Sequence, residues 1–324
     1  MASGIILREY GNSEVLNLED IKLKKIKRNE LLIRQTSIGV HFHDIYVRTG
    51  QYKTLTLPGI PGIEAVGIIE EIGSDVTNFD IGDRIVYITG EYGAYVSHRT
   101  LNANYAIRLP NTVSDELMAT NFSRALTVIM LIEYVTKLSA SQKILVTAAS
   151  GGVGKLLCQA ANFLGAYVIG TVSNNNKAKD CISYGCNEVI TYDDENFVDK
   201  IISITNGKGV DIVFDSVGSD TIDNSFKVLS YCGHLVNFGQ SSGVVSPIHI
   251  QELAKKSLTL SRPILFHYLK DKITYERMAE KVFKSFSTKK FLVPKAQSLN
   301  LEEASQAHKI LESRRGGGSI YLRP

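Results

Sequence analysis

Short apolar runs separated by glycine turns dominate the chain up to about residue 120. The runs at 31–38, 65–72 and 84–88 have the length and the β-branched content of strands. Turn pairs such as Pro58-Gly59 lie between them, and one short helix is predicted to begin near His43. The pattern predicts a β-rich first domain.

After about residue 122 the pattern changes to an alternation of helices and strands. Runs of apolar, β-branched residues, spaced by roughly 20 residues of helical pattern, predict five parallel strands. These runs are 144–147, 167–172, 188–191, 211–214 and 234–238. Strands that alternate with helices form a parallel sheet with helices on both faces. The fold class is therefore predicted as α/β, with a doubly wound parallel sheet in the second domain.

The end of the chain departs from this alternation. An amphipathic helix is predicted at 301–311 and a closing strand at 319–322. We expect this tail to return to the first domain. The predicted domains are 1–121 together with 262–324, and 122–261.

Length and composition are those of a globular protein. The 324 residues are 44% hydrophobic and 21% charged, and a chain of this size usually forms more than one core. The net charge of +3 is too balanced to indicate a nucleic-acid or membrane partner. No apolar run approaches the ~18 residues of a membrane span, and no signal-like segment opens the sequence. We expect a cytoplasmic protein.

The four cysteines also indicate a reducing compartment. Cys158, Cys181, Cys186 and Cys232 fall in segments predicted as core strands and helices. Their spacing forms no CxxC framework of the kind that holds disulfides or zinc. We expect all four to be buried thiols.

A glycine-rich turn joins the first strand of the second domain to a helix pattern. It reads Ala148-Ala149-Ser150-Gly151-Gly152-Val153-Gly154. Glycines let backbone N–H groups approach a pyrophosphate, and the N-terminus of the following helix adds a positive partial charge. Because Ala149 replaces the first glycine of the usual motif, the prediction depends on the strand-turn-helix context. This context predicts a dinucleotide site, with a packing turn as the alternative.

The next strand indicates which dinucleotide is bound. NAD enzymes of this fold hold the adenosine ribose with an Asp or Glu about 20 residues after the turn. No carboxylate occurs from Ala148 through Lys179. Ser173 can donate a hydrogen bond and Lys177 can offer a cation to a 2′-phosphate, although Lys177 alone also fits a solvated lysine at a helix start. We expect NADPH (NADP) as the cofactor.

Four motifs occur in a characteristic order along the chain. They are residues 39–50, residues 61–67, the turn at 148–154, and Asp215-Ser216-Val217-Gly218. Together they resemble the medium-chain dehydrogenase/reductase superfamily and, within it, the zeta-crystallin-like NADPH:quinone oxidoreductase family. The resemblance covers essentially the whole chain. It implies a GroES-like β-rich domain, a Rossmann domain and a homodimer joined at the late strands of the Rossmann sheet. In this chain the segments 234–238 and 257–260 are the candidates for these late strands.

The resemblance also implies that no metal is bound. Zinc-dependent members of the superfamily have a Cys where this chain has His41 and a His where it has Ile63. Their structural zinc needs four more cysteines, and no cysteine precedes Cys158. His41 and His43 form a pair without carboxylate or thiol support. We therefore expect a zinc-independent enzyme.

The implied reaction is hydride transfer from NADPH to a quinone or similar conjugated carbonyl, in a cleft between the domains. Tyr46 and Tyr52 match aromatic positions at that cleft, with core tyrosines as the alternative. His41 stands where the family usually has an asparagine, and it can supply a proton or merely occupy the space. These three residues are the catalytic candidates.

The cofactor contacts are carried over by matching position. Arg124 and Thr127 are expected near the nicotinamide. The other expected contacts are Gly151, Gly152, Val153 and Gly154 at the pyrophosphate, Ser173, Lys177 and Tyr192 at the adenosine phosphate, Phe238, Gly239 and Ser241 on the opposite wall, and Arg262 and Arg314.

Other functions remain open. A reductase of enoyl thioesters or other activated alkenes uses the same fold and the same hydride. It would need a basic groove, whereas a quinone would need a short aromatic slot. A non-catalytic NADPH-binding protein is a further alternative, because the zeta-crystallin family includes lens structural proteins. RNA binding, also known in the family, is disfavoured by the balanced charge.

Overall fold

The computed structural model describes residues 2–192, 195–313 and 318–324. These residues separate into two compact units. Unit 2 consists of Ala125–Tyr268 and Thr288–Val293, and unit 1 contains the other described residues. The main break between the units, after Arg124, lies near the predicted limit at residue 121, whereas residues 262–268 and 288–293 group with unit 2 and not with the first domain as predicted. The domain limits stay a prediction.

Strands predominate up to residue 108, and after it helices and strands mostly alternate. The strands are β1 (Ala2–Leu7), β2 (Leu16–Ile21), β3 (Glu30–Val40), β4 (Glu64–Ile72), β5 (Arg84–Ile88), β6 (His98–Asn102), β7 (Ala106–Arg108), β8 (Lys143–Val146), β9 (Tyr167–Val172), β10 (Glu188–Thr191), β11 (Val210–Asp215), β12 (Leu229–Asn237), β13 (Thr259–Ser261), β14 (Gln297–Asn300) and β15 (Ile320–Arg323). The α-helices are α1 (Phe42–Thr49), α2 (Asp115–Ile129), α3 (Gly152–Phe163), α4 (Ala178–Ser183), α5 (Phe197–Ile204), α6 (Ile222–Val228), α7 (Gln251–Ala254), α8 (Leu265–Tyr268), α9 (Lys272–Ser287) and α10 (Ala304–Glu312).

Unit 1 is built on a mixed, mainly antiparallel sheet with the order β14-β15-β3-β4-β5-β7, and β6 pairs with β3. The long strand β3 pairs with β4, β6 and β15. Its apolar residues Ile33, Ile38 and Val40 are buried in the core of the unit. The β-rich first domain is therefore confirmed, and the helix predicted near His43 is α1.

Helix α1 has defined ends. The carboxylate of Asp44 accepts a hydrogen bond from the backbone N–H of His41 at 2.8 Å, which caps the first turn. At the other end Gly50 has φ +79, a left-handed conformation that glycine adopts at little cost. These caps fix the stretch of chain that carries His41, His43 and Tyr46.

Unit 2 contains a six-stranded parallel sheet in the order β10-β9-β8-β11-β12-β13. The five predicted strands are all present, and the short strand β13 adds a sixth at one edge. The order in which the strands are added reverses between β8 and β11. The strands β9 and β10 lie on one side of β8, and β11 and the later strands lie on the other. Ligands of such sheets bind outside the carboxyl ends of the strands at this switch point. The doubly wound fold class is confirmed.

One prediction about the cysteines is wrong. Cys158, Cys181 and Cys186 are buried, but Cys232 is exposed. The pairing of β11 with β12 shifts register before His234, so the chain around Cys232 leaves the ladder. Cys232 has φ +58 and donates its N–H to Lys256 O at 2.7 Å. The apolar pattern of the strand did not reveal this bulge.

No helix within residues 2–192, 195–313 and 318–324 is long and apolar enough to cross a membrane.

Candidate functional site

The predicted dinucleotide turn follows β8 directly. Ala148 has φ +49, and its N–H donates to the hydroxyl of Tyr192. Gly151 precedes the first residue of α3 and has extended backbone. A Cβ on Gly154 would lie 2.2 Å from the carbonyl oxygen of Ala148, so only glycine allows the helix to pack this closely on the turn. The turn therefore presents the N–H groups of the first turn of α3.

Two of the predicted phosphate contacts lie together after β9. Nζ of Lys177 is 3.3 Å from the hydroxyl oxygen of Ser173, which is exposed. Tyr192 follows β10 and reaches back to the glycine turn through its hydroxyl. Burial raises the pKa of Tyr192 to about 12, so this phenol stays protonated at neutral pH. The set offers a cation and hydroxyl donors, which suits a phosphate ester.

Asp215 organises the neighbouring strand ends. Its Oδ1 accepts from the Thr147 hydroxyl at 3.0 Å, the Thr221 hydroxyl at 2.8 Å and the Val217 N–H at 2.9 Å. Its Oδ2 accepts from the side-chain amide of Asn237 at 3.3 Å. This buried carboxylate thus joins the carboxyl ends of β8, β11 and β12. It holds the loops of the switch point in place.

The other predicted cofactor contacts of unit 2 follow the carboxyl ends of β12 and β13. The N–H of Phe238 donates to Asp215 O at 2.8 Å, and that of Ser241 donates to Ser216 O at 3.2 Å. A Cβ on Gly239 would lie 2.6 Å from Ser216 O. Arg262 donates to Asn237 O at 3.1 Å, at the end of β12.

Arg314 lies outside the described residues.

An aromatic cluster surrounds the start of α1 in unit 1. The rings of Tyr46 and Tyr52 meet edge to face with centroids 5.1 Å apart. His43 contacts Tyr52 at 5.7 Å and stacks on Tyr92 at 5.9 Å. We call His43, Tyr46, Tyr52 and Tyr92 the aromatic cluster.

The imidazole of the aromatic cluster is uncharged at neutral pH. Burial, with a smaller effect from His41, lowers the pKa of His43 to about 4. Nε2 of His43 lies 3.2 Å from the hydroxyl oxygen of Tyr92, which also contacts the exposed Thr54 hydroxyl. His43 therefore acts as a neutral, polar aromatic ring.

His41 precedes the aromatic cluster in the sequence, and its imidazole lies beside the carboxylate of Glu64. Nε2 of His41 is 2.6 Å from Oε2 of Glu64, although the ring N–H is not aligned with the carboxylate as in a regular hydrogen bond. Glu64 is fully buried and accepts from the N–H of Ser123 at 2.8 Å and from the Ser123 hydroxyl. Protonated His41 would thus face a fixed carboxylate.

Arg124 and Thr127 lie one turn apart on α2. Arg124 donates to the Ser319 hydroxyl, and loss of solvation lowers its pKa while the charge of Glu64 opposes this shift. Thr127 is half-buried. Their predicted contact with the nicotinamide stays a prediction.

Sequence reasoning missed several polar residues that the structure places beside the predicted ones. Glu64 and Asp215 lie inside the motifs that carry the family resemblance, but the sequence indicated no role for either side chain. The sequence indicated His43 only as a possible metal ligand. Tyr92 is 49 residues away from its partner His43, and no periodic pattern connects them. Within the described ranges, no group of three or more His, Cys, Asp or Glu side chains could hold a metal ion.

Comparisons with known proteins agree with this architecture. Residues 27–111 match the alcohol dehydrogenase GroES-like domain, and residues 152–284 match the domain described as zinc-binding dehydrogenase. In this order the two domains define the class of medium-chain dehydrogenases and reductases.

Proteins similar to this chain over its full length show which family of this class it belongs to. Quinone oxidoreductase 1 of Escherichia coli (strain K12) is 37% identical over 327 residues, which cover 100% of both chains. The crystal structure of Escherichia coli quinone oxidoreductase complexed with NADPH has a TM-score of 0.96 and 36% identity, and it covers 99% of this chain and 100% of that chain. A 2-haloacrylate reductase of a Burkholderia species is 32% identical over 331 residues, covering 100% of this chain and 99% of its own. The chain belongs to the quinone oxidoreductase family.

Proposed function

We propose that this protein reduces quinones with NADPH and needs no metal ion. The observation that carries the proposal is the aromatic cluster at the start of α1, because a flat conjugated acceptor can stack on such rings. The relatives named as quinone oxidoreductases, and the NADPH complex of one of them, support the same reaction.

The residues of unit 2 fit NADPH by their chemistry. The glycine turn and the N-terminus of α3 suit the pyrophosphate. Ser173 and Lys177 suit the 2′-phosphate, since their polar atoms lie 3.3 Å apart and no carboxylate occurs between Ala148 and Lys179. When bound, NADPH supplies the hydride. The protein's tasks are to bind, to orient and to supply a proton.

We assign acceptor binding to the aromatic cluster. Tyr46 and Tyr52 offer ring faces and phenol groups that can hydrogen-bond to a quinone oxygen. His43 adds a neutral ring to the same surface. A small alkene such as an acrylate would cover less of this surface than a quinone ring does.

We assign proton donation to His41. One hydride converts a quinone into a hydroquinone monoanion, and one proton on the oxygen completes the reduction. A protonated imidazole can supply this proton, and Nε2 of His41 lies 2.6 Å from Oε2 of Glu64. The proton returns to His41 from solvent after each turnover.

The test follows NADPH oxidation by purified protein with short quinones, enoyl thioesters and 2-haloacrylate, each with and without a chelator. We expect turnover with quinones that the chelator does not change. NADPH oxidation by alkenes alone would reassign the chain to the second candidate below. Absence of turnover with every acceptor, with NADPH still bound, would contradict the enzymatic role.

Reduction of an activated alkene is the second candidate function. The full-length similarity to a 2-haloacrylate reductase supports it. The same hydride and proton donors would serve this reaction. The ratio of kcat/KM values for a quinone and an alkene distinguishes the two candidates.

We also propose a homodimer in the cytoplasm. In the described part of unit 2, no strand pairs with the outer edge of β13, and Val244, Ile250 and Ile264, which precede and follow β13 in the sequence, are exposed. An open apolar edge favours pairing with a second copy. The four cysteines form no CxxC framework, which supports a reducing compartment. Sedimentation velocity and cell fractionation test the two statements.

A further inference from the structure

A buried chain of hydrogen bonds in unit 1 ends at Asp44. It begins at Arg48 of α1, which forms a two-point ion pair with Glu312 of α10, at 2.6 and 3.1 Å. Nη1 of Arg48 also lies 3.2 Å from Nδ1 of His308. Nε2 of His308 lies 3.0 Å from the hydroxyl oxygen of Tyr95, and this hydroxyl donates to Oδ2 of Asp44 at 3.1 Å. We call Arg48, His308 and Tyr95 the buried relay.

In each hydrogen bond of the buried relay, the chemistry of the groups determines which atom donates and which accepts. A guanidinium has donors and no acceptor, so Nδ1 of His308 accepts from Arg48 and Nε2 of His308 carries the hydrogen. That N–H donates to the oxygen of Tyr95, whose own hydrogen therefore points to Asp44. Burial and the charge of Arg48 lower the pKa of His308 to about 3, so the imidazole stays neutral in the working range.

The buried relay cannot conduct protons to the site. Arg48 at its outer end does not lose its proton at any accessible pH. The relay instead provides fixed dipoles whose positive ends point to Asp44, together with the charge of Arg48. Such an arrangement stabilises a negative charge on the carboxylate.

Asp44 needs this stabilisation because it is fully buried. Its Oδ2 accepts from Tyr95 and from the N–H of His41, but Oδ1 has no hydrogen-bond partner within the described residues. Burial raises the pKa of Asp44 to about 6, and the hydrogen bonds from His41 and Tyr95 counteract it. The titratable groups that act on Asp44 are His41, Tyr95 and Glu64. Behind Tyr95 lie His308, Arg48 and the carboxylate of Glu312 that pairs with Arg48.

We propose that Arg48, His308 and Tyr95 are positioning residues that keep Asp44 ionised beside His41, so that His41 can hold the proton for the reduced acceptor. Asp44 and Glu64 then both present negative charge to the same imidazole. A charge on His41 counteracts the rise in the pKa of Asp44 that burial causes. The inference rests on the proposed function, since it assigns proton donation to His41.

The first test measures kcat for quinone reduction against pH in wild type and Tyr95→Phe. The variant keeps the ring and removes only the hydroxyl that donates to Asp44. Because a hydrogen bond to a charged group is worth about 1.5–3 kcal/mol, we expect the acid limb of the profile to move up by roughly one pH unit or more. KM for NADPH should not change.

A pair of variants at His308 provides the control. His308→Gln can accept from Arg48 and donate to Tyr95, so it should restore a profile close to that of wild type. His308→Leu interrupts the relay and should shift the acid limb as Tyr95→Phe does. If all three variants lower thermal stability but leave the acid limb in place, the relay has only a structural role and the proposal is wrong.

A second measurement does not need turnover. The infrared C=O band of protonated Asp44, assigned by its absence in Asp44→Asn, is followed as a function of pH. We expect its midpoint to rise in Tyr95→Phe. If the midpoint rises but the protein does not reduce quinones, the proposed function is wrong and the role of the relay in keeping Asp44 ionised still holds. If the midpoint is unchanged in an active enzyme, the proposed role of the relay is wrong.

Discussion

Nε2 of His43 lies 3.2 Å from the hydroxyl oxygen of Tyr92, and the two rings stack with their centroids 5.9 Å apart. The contact joins α1 to a residue in the loop between β5 and β6. Because burial lowers the pKa of His43 to about 4, this pair is a neutral aromatic surface with a polar edge. It extends the surface of Tyr46 and Tyr52 that we assign to the acceptor.

Replacing His43 should weaken acceptor binding selectively. Aromatic contacts are worth about 1 kcal/mol, so His43→Leu should raise KM for a bicyclic quinone roughly fivefold and leave KM for NADPH unchanged. Tyr92→Phe keeps its ring and serves as the matched control with a smaller effect. Equal KM values in wild type and His43→Leu would remove His43 from the acceptor site.

Cofactor preference should depend on Ser173. A carboxylate in Ser173→Asp would repel the 2′-phosphate, and we expect the ratio of kcat/KM values for NADPH and NADH to fall by about tenfold or more. Ser173→Ala removes the hydroxyl without adding charge and should change the ratio much less. An unchanged ratio in Ser173→Asp would show that the 2′-phosphate binds elsewhere.

The glycine turn should tolerate a methyl group at one position better than at another. A Cβ at Gly154 would lie 2.2 Å from Ala148 O, whereas at Gly151 it would lie 3.0 Å from the same atom. Gly154→Ala should therefore destabilise unit 2 by about 1–3 kcal/mol, and Gly151→Ala by less. Thermal unfolding without cofactor compares the two variants. Equal midpoints would contradict the packing given for this turn.

Stability should fall in mild acid. In the folded protein the pKa is about 4 for His43 and about 3 for His308, below the ordinary 6.5, so unfolding takes up protons as pH falls through this interval. Each histidine then removes up to about 1.4 kcal/mol per pH unit below 6.5. Asp44, with its pKa raised to about 6, acts in the opposite sense between 3.8 and 6.

The histidine variant His308→Gln isolates one contribution to this pH dependence. Unfolding midpoints between pH 7 and 5 should decline less steeply in the variant than in wild type. Parallel curves would mean that His308 is not buried as a neutral imidazole.

The doubly wound sheet could be predicted because five of its strands contain a short apolar run and helical pattern separates these runs. The glycine turn was predictable for the same reason, since the motif and its secondary structure are local. Asp44, Glu64 and Asp215 show where this reasoning ends. Their burial depends on partners such as Tyr95, Ser123 and Asn237, which are distant in sequence.

Local exceptions were also invisible in the sequence. Cys232 lies in a run that looks like core strand, but a register shift with β11 turns it to solvent. By contrast, β13 overlaps the late strand that the sequence indicates at 257–260. The bulge at Cys232 arises from pairing between strands, which a one-dimensional pattern does not record.

The division of the chain into two units has a consequence for making fragments of this protein. Unit 1 takes up the chain before residue 125 and again after Tyr268, and residues 288–293 return to unit 2 between α9 and the final segment. A fragment that stops at Arg124 would lack β14 and β15, and β15 pairs with the centre of its sheet at β3. An autonomous unit 1 therefore has to be made by replacing the whole intervening segment with a linker.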